Sequence, residues 1–224
     1  MSSITLGSVQ PSYLPWIPFF RRMQLSDVFV YLDDVEYSKN SFHNRNRIKG
    51  KNGNLLLTVP VRYKGCSKKH ICQVEIANNE KWAKKHWKSI EINYSKSPFY
   101  NEIAPYLKDI YFTDWKKLGD LNISLITFFK TYLSIQTPCY KSSDLEIETE
   151  GNQKLVDMCK MFNADIFIVK PNTESYHPKK FFLEHDINFK YFLYKDEEYN
   201  QLHGSYVQNL SILDYVMNCG SDNF

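Results

Sequence analysis

Residues 4–34 read ITLGSVQPSYLPWIPFFRRMQLSDVFVYLDD, and this stretch decides the fold. ITLGSV and DVFVYLD are short and mostly apolar, as buried strands are. The turn between them holds Pro11 and Pro15, which can neither donate to a sheet nor sit inside a helix. Pro18 comes early in the helical run IPFFRRMQLS, where its missing N–H costs nothing. Strand, loop, helix and strand in this order form a βαβ unit and predict an α/β fold.

The carboxyl ends of these two strands carry polar and aromatic side chains. Gln10, Tyr13 and Trp16 belong to the first loop, and Asp33 and Asp34 close the second strand. In βαβ units, ligands bind beyond the carboxyl ends of the strands. We therefore expect the two loops to face each other across a shared cleft, with Gln10 binding a substrate through its amide.

Three side chains in this region are candidates for proton transfer. A carboxylate at Asp33 or Asp34 can accept a proton from an amine or hydroxyl nucleophile. Strand alternation lets only one of the two acids point into a given cleft, and a turn-capping role remains open for both. His43 is the third candidate, because imidazole titrates near neutral pH. Trp16 and Tyr13 can stack on a base or sugar ring, with core packing as the alternative.

The basic tract NRNRIK follows at residues 44–49. In an extended chain, Asn44 and Asn46 lie on one side and Arg45 on the other. Arginine forms a bidentate fork to phosphate oxygens, and asparagine can recognise amide or hydroxyl groups. We expect Asn44, Arg45, Asn46 and Lys49 to bind substrate, with Arg45 and Lys49 holding phosphate. The alternative is a solvated basic loop.

Further candidates lie near the final helix and in a cysteine motif. Tyr199 and Gln201 can close the other wall of the cleft or simply pack together. Ser211 and Asp214 have the spacing of a capping box at the start of the last helix. Cys66, His70 and Cys72 lack both the paired spacing of zinc sites and a fourth ligand, so no metal is predicted. The sequence does not identify a cofactor.

The rest of the chain completes the predicted fold. ADIFIV and TPCYK are expected to join the sheet, and the apolar segments within 55–77 to pair as an antiparallel extension. Helical patterns fill residues 79–134 and predict a helical insertion that caps the sheet. We expect one domain over residues 1–224, with a mainly parallel, Rossmann-like (HUP-like) sheet and helices on both faces.

Composition limits the partners. The formal charge of +3 does not by itself indicate nucleic-acid binding, and no apolar run is long enough for a membrane span. The N-terminus lacks the pattern of a signal peptide. Five scattered cysteines suit reduced thiols, so a cytoplasmic location is expected.

Several motifs together resemble the WbqC-like protein family. They are QPSYLPW, SDVFVYLDDVEYSKNSFHNRNRIK, LTVP, SPFY, LGDLN, the pair Ser142–Ser143 and YNQLHGSYVQNLSILDYVMNCG. The resemblance covers nearly the whole chain. It implies a bacterial protein associated with gene clusters for O-antigen and other surface polysaccharides, in a family whose chemistry is generally unassigned.

The resemblance and the candidate residues together predict a transferase of surface-polysaccharide (lipopolysaccharide, O-antigen) biosynthesis. It would act on a nucleotide-linked sugar, moving an acyl or aminoacyl group to an amino sugar. A charged tRNA is the one nucleic acid that such a reaction would use, as the aminoacyl donor. A non-catalytic nucleotide-sugar or glycan binding protein is one alternative. Another is a nucleotidylyltransferase-like enzyme, which the strand–turn–helix start resembles, although the first turn lacks the two histidines of that class.

Overall fold

The computed structural model describes residues 3–62, 68–78, 81–173, 175–222 and 224. The strands are β1 (Thr5–Val9), β2 (Val28–Tyr31), β3 (Arg45–Gly50), β4 (Gly53–Thr58), β5 (Cys139–Lys141), β6 (Ile166–Val169) and β7 (Asn188–Tyr191). The helices are α1 (Ile17–Gln24), α2 (Trp82–Tyr94), α3 (Tyr100–Phe112), α4 (Leu118–Tyr132), α5 (Gly151–Met161), α6 (Lys179–Leu183) and α7 (Ile212–Cys219).

The chain divides into two compact units. The sheet unit comprises Met1–Gln10, Pro18–Asp33 and Gln136–Lys195. The helical unit comprises Pro11–Ile17, Asp34–Ile135 and Asp196–Phe224. The organisation as a single domain stays a prediction.

The sheet unit contains a five-stranded sheet in the order β5-β2-β1-β6-β7. Every neighbouring pair in it is parallel. The chain builds outward from β1 through β2 to β5 and then crosses to β6 and β7 on the other side of β1. This is the Rossmann strand order, so the predicted Rossmann-like parallel sheet is confirmed.

Helices cover both faces of this sheet because its strands alternate. Val30 packs in one apolar cluster with Leu155 and Val156 of α5. Its neighbour Phe29 points to the opposite face, where its ring lies 5.6 Å from that of Phe19 on α1. Burying aromatic and branched side chains of this kind is worth about 1.5–3 kcal/mol each, which fixes α1 and α5 on the two faces.

The helical unit contains the antiparallel hairpin, which is formed by β3 and β4. The prediction that the extension lies within 55–77 is therefore corrected: the partner of β4 is the basic tract before it. The turn from Gly50 to Gly53 folds the two segments together, and Gly53 has φ 116°, a conformation that favours glycine. Residues 71–73 form a 3₁₀ turn. The predicted pairing is seen in a short form, as an antiparallel bridge between Val61 and Ile76 flanked by backbone hydrogen bonds that link residues 60 and 62 to residues 77 and 75.

Three long helices lie within the predicted helical range 79–134, of which residues 79 and 80 fall outside the described part. They are α2, α3 and α4, and α3 continues through Pro105. Their inward faces are apolar and aromatic, with Ile90, Leu107 and Leu125 fully buried. Across the described residues, none of the helices has the length and apolar character needed to cross a membrane.

Candidate functional site

The sheet unit has a topological switch point between β1 and β6. The chain leaves β1 toward β2 on one side and later returns to β6 on the other, so the connections diverge there. Ligands of α/β proteins bind in the crevice that such a divergence leaves beyond the carboxyl ends of the strands. Gln10 follows β1 directly and is exposed, as expected for a residue at this edge.

Asp33 ties two strand ends of the sheet unit together. Its carboxylate accepts hydrogen bonds from Ser142 Oγ at 3.2 Å, from Ser143 N at 3.0 Å and from Ser143 Oγ at 2.7 Å. Its own N–H donates to Ser142 Oγ at 3.1 Å. The side chain is buried, so Asp33 fastens the end of β2 to the turn that follows β5. Protein donors occupy the oxygens that the predicted base would use.

Asp34 belongs to the helical unit and is half-buried. Asp33, which precedes it in the chain, is only 2% exposed. Asp34 is therefore the more accessible acid of the predicted pair.

Tyr13 and Trp16 of the first loop occupy different environments. Tyr13 is fully buried, and its hydroxyl lies 2.8 Å from His86 Nδ1 and 2.5 Å from Tyr111 Oη. A ring sealed in this way offers no face to a ligand, so the predicted stacking role of Tyr13 does not fit its location. Trp16 is 37% exposed and forms an antiparallel bridge with Ser211 at the start of α7. Its partly exposed indole can still stack on a base or sugar ring.

His43 and Asn44 are held inside the helical unit. His43 Nδ1 accepts a hydrogen bond from the Ser38 N–H at 3.2 Å. Burial lowers the pKa of His43 to about 4, so the ring is neutral near pH 7 and a weak base. Asn44 Nδ2 donates to the Val59 carbonyl at 2.8 Å, whereas Asn44 Oδ1 is a buried acceptor with no partner among the described residues.

The alternation predicted for the basic tract is confirmed. Asn46 is buried and donates to the Leu14 carbonyl at 2.6 Å, which anchors the first loop on β3. Arg45 points the other way and is half-buried. Its guanidinium donates to Asn40 through the side-chain and main-chain oxygens, so these donors are used within its own loop.

Lys49, Tyr199 and Gln201 come together in the helical unit around a buried carboxylate. Lys49 Nζ donates to Gln201 Oε1 at 2.7 Å and to the Ser205 carbonyl. Tyr199 donates to Asp214 Oδ2 at 2.9 Å. The sequence did not predict that Lys49 lies beside Tyr199 and Gln201, and Asp214 is the group that connects them.

Asp214 is fully buried and does not complete the predicted capping box, although Ser211 does cap α7 by accepting from the Leu213 N–H. Instead, Asp214 Oδ1 accepts from Tyr94 Oη at 2.8 Å, and Tyr94 Oη in turn accepts from the Lys49 N–H at 2.9 Å. Burial raises the pKa of Asp214, while the two tyrosine hydroxyls and the Lys49 charge oppose that rise.

Sequence reasoning did not predict a buried charge at Arg22 or at Asp214, the second of which it interpreted as part of a helix cap. Both lie on helix faces that otherwise bury apolar residues: Arg22 falls three positions after Phe19, and Asp214 three before Met217. A charge within an apolar stripe is the signal that could have identified them. Arg22 Nη2 donates to the carbonyl of Ile168 in β6.

A metal centre is not evident in the described part of the chain, where no group of three or more His, Cys, Asp or Glu residues converges. Cys66 of the predicted cysteine motif lies outside the described residues. His70 and Cys72 flank Ile71, which is buried at the start of the 3₁₀ turn.

Comparisons with known proteins place the chain in a family. No solved structure matches it. A relative from Mycobacterium tuberculosis, named uncharacterized protein Rv1507c, is 34% identical over 216 residues, which cover 96% of this chain and 93% of the relative. The model of the WbqC-like protein family matches residues 10–224. The chain therefore belongs to the WbqC-like protein family.

Proposed function

We propose that this protein is a transferase of bacterial surface-polysaccharide biosynthesis that binds a nucleotide-linked sugar. The strand order of the sheet unit carries the proposal, because a β1–β6 switch point is where α/β sheets bind nucleotides. The pathway is the one that the resemblance to the WbqC-like family implies. Gln10 lies at the proposed edge and can recognise a ligand through its amide.

The proposed reaction moves an acyl or aminoacyl group to an amino group of the sugar. The amine nitrogen attacks the activated carbonyl, a C–N bond forms, and the bond to the thiol or hydroxyl leaving group breaks. The proton lost by the amine passes to a carboxylate base. We assign that role to Asp34 rather than to Asp33 or His43, because Asp34 is half-buried whereas Asp33 and His43 are buried.

The same burial favours one other candidate function, a binding protein without catalysis. Of the three predicted bases, Asp33 accepts three hydrogen bonds and His43 is neutral and buried. A protein that only binds a nucleotide sugar needs no proton acceptor. The two functions differ in their dependence on Asp34.

Mass spectrometry of the sugar product tests the proposal. The protein is incubated with UDP- or dTDP-linked amino sugars and with acetyl-CoA or an aminoacyl-tRNA, and a mass gain on the sugar nucleotide is expected. Asp34→Asn should slow product formation by about 100-fold or more while leaving the sugar-nucleotide Kd nearly unchanged. Asp144→Asn is the matched control, because this exposed acid, within the described part of the chain, forms only a surface ion pair with Lys141.

Three outcomes would contradict the proposal. Tight binding of the sugar nucleotide with no product from any donor class would leave the binding-protein function. Equal rates for Asp34→Asn and the unmodified protein would remove Asp34 as the base. Magnesium-dependent release of pyrophosphate from a nucleoside triphosphate would instead support the nucleotidylyltransferase alternative.

A further inference from the structure

The ladder between β1 and β6 at the switch point is short. Among the described residues, register pairs join β1 and β6 only at Thr5–Ile166 and Leu6–Phe167. Each strand continues beyond these pairs along its outer neighbour, β1 to Val9 beside β2 and β6 to Val169 beside β7. The β1–β6 ladder therefore ends before the carboxyl edge of the sheet.

Arg22 reaches β6 just beyond the last of these pairs. It is 9% exposed, and its Nη2 donates to the carbonyl of Ile168, the last residue but one of β6. Its Nε is buried with no hydrogen-bond partner, and no carboxylate in the described part of the chain lies within ion-pair distance of the guanidinium. Burying a cation without an anion costs free energy, because the charge loses its hydration. A bound anion would offset that cost.

Two more basic groups surround the same end of β6. Lys170 follows the strand directly, and His177 lies in the next loop, where its Nδ1 is 2.7 Å from Asn152 Oδ1. Both interact electrostatically with Arg22, and burial together with the Arg22 charge lowers the pKa of each. Burial lowers the pKa of Arg22 itself to about 10, so the guanidinium remains charged at neutral pH.

We propose that the carboxyl end of β6 is a phosphate-binding site in which Arg22 supplies a fixed buried charge and Lys170 and His177 contact the phosphate oxygens. Two cations and an imidazole whose charged form a bound anion would favour lie at the end of the β1–β6 ladder, and together they match the multiple charge and the oxygen acceptors of a phosphate ester. This site adds a phosphate-binding role to the proposed function. The identification of the phosphate as part of a nucleotide-linked sugar rests on that proposed function. The phosphates of a coenzyme A donor have the same chemistry.

Isothermal titration with inorganic pyrophosphate tests the site without depending on the reaction. The protein should bind pyrophosphate, and Arg22→Met, which keeps the length of the side chain, should weaken binding at least tenfold. Arg22→Lys should lose less, because it keeps the charge. Arg21→Met is the matched control: it removes the same charge from the neighbouring position on α1, which is half-buried, and should bind like the unmodified protein.

The double variant Lys170→Met/His177→Asn keeps the test decisive if an Arg22 variant does not fold, because neither side chain is fully buried. It should also lose at least tenfold in affinity. Equal pyrophosphate affinity in the unmodified protein and in these variants would overturn the site, as would the absence of any binding by the unmodified protein.

Parallel titrations with UDP, a UDP-linked sugar and coenzyme A identify the source of the phosphate. Dependence of the UDP-sugar affinity on Arg22 supports both the site and the nucleotide ligand. If pyrophosphate and coenzyme A depend on Arg22 but no nucleotide sugar binds, the phosphate site stands and the proposed function fails. If nucleotide sugars bind equally to the protein and to Arg22→Met, the phosphate site fails and the proposed function stands.

Discussion

Lys49 in the helical unit and Arg22 in the sheet unit are both buried cations, and they differ in what surrounds them. Lys49 Nζ has two protein acceptors and lies in the field of Asp214, whose carboxylate is held by two tyrosines. Arg22 has one carbonyl acceptor and two basic neighbours. A buried charge with protein acceptors and a counter-charge is part of the framework, whereas one among like charges is suited to an external anion.

The largest expected effect comes from removing the Lys49 charge. Lys49→Met keeps the alkyl stem but leaves Asp214 buried without its nearby cation. We expect the free energy of unfolding to fall by about 3–5 kcal/mol, measured by urea denaturation. Lys51→Met, at the exposed turn of the same hairpin, should change it by less than about 0.5 kcal/mol. If Lys49→Met lowers the free energy of unfolding no more than Lys51→Met does, Lys49 is not a framework cation and does not differ from Arg22 in this way.

Asp33 tests whether the sheet unit also contains a framework carboxylate. Asp33→Ala removes the acceptor of three hydrogen bonds from Ser142 and Ser143 and should lower the free energy of unfolding by about 3 kcal/mol. Asp33→Asn keeps one acceptor oxygen and should cost less. If both variants keep the stability of the unmodified protein in the same urea titration, Asp33 does not tie the strand ends together.

His86 gives the helical unit a defined acid sensitivity. Burial lowers the pKa of His86 to about 4, below the ordinary value of 6.5 in the unfolded chain. The unfolded state therefore binds the proton first, and stability falls as the pH drops from about 6.5 toward 4. His86 should contribute a loss of about 2 kcal/mol between pH 7 and pH 5.

Urea unfolding at the two pH values measures this loss. In His86→Gln, the decrease between pH 7 and pH 5 should be smaller than in the unmodified protein by that amount. His70→Gln alters an exposed histidine and should leave the decrease unchanged. The same pH dependence in all three proteins would show that His86 is not held neutral by its surroundings.

The smallest effect, with the opposite sign, is expected at Arg22. In a buffer free of phosphate, Arg22→Met should raise the free energy of unfolding by about 1 kcal/mol, because an apolar side chain replaces a buried cation that has no counter-ion. Arg21→Met should leave stability nearly unchanged. A marked loss of stability in Arg22→Met would mean that Arg22 is a framework cation like Lys49.

Local patterns predicted the sheet well. ITLGSV, DVFVYLD, ADIFIV and TPCYK are all strands of the parallel sheet, because short apolar runs beside turn residues have few other stable places in a fold. The hairpin was misplaced because its first strand, Arg45–Gly50, is a basic segment without an apolar pattern. It is extended because the turn from Gly50 to Gly53 and the burial of Asn46 and Lys49 fix it there.

The site residues were harder to predict because burial depends on contacts between distant segments. Each of Lys49, Tyr199 and Gln201 could be proposed from the sequence on its own. The carboxylate that joins them is Asp214 of α7, whose position three residues after Ser211 instead suggested a helix cap. Tyr13 has the composition of a stacking residue, yet Tyr111, 98 positions away, meets its hydroxyl in the core. Such partners are set by the tertiary fold rather than by neighbours in sequence.

The brief pairing of β1 with β6 has a consequence for stability. β1 and β6 share two register pairs, whereas β1 and β2 share four, so the ladder between the two halves of the sheet is the shorter one. An anion that contacts both Arg22 of the first half and Lys170 of the second would add a link between the two halves of the sheet. Because such an anion would bind the folded sheet and not the unfolded chain, its concentration would set how much stability this link adds.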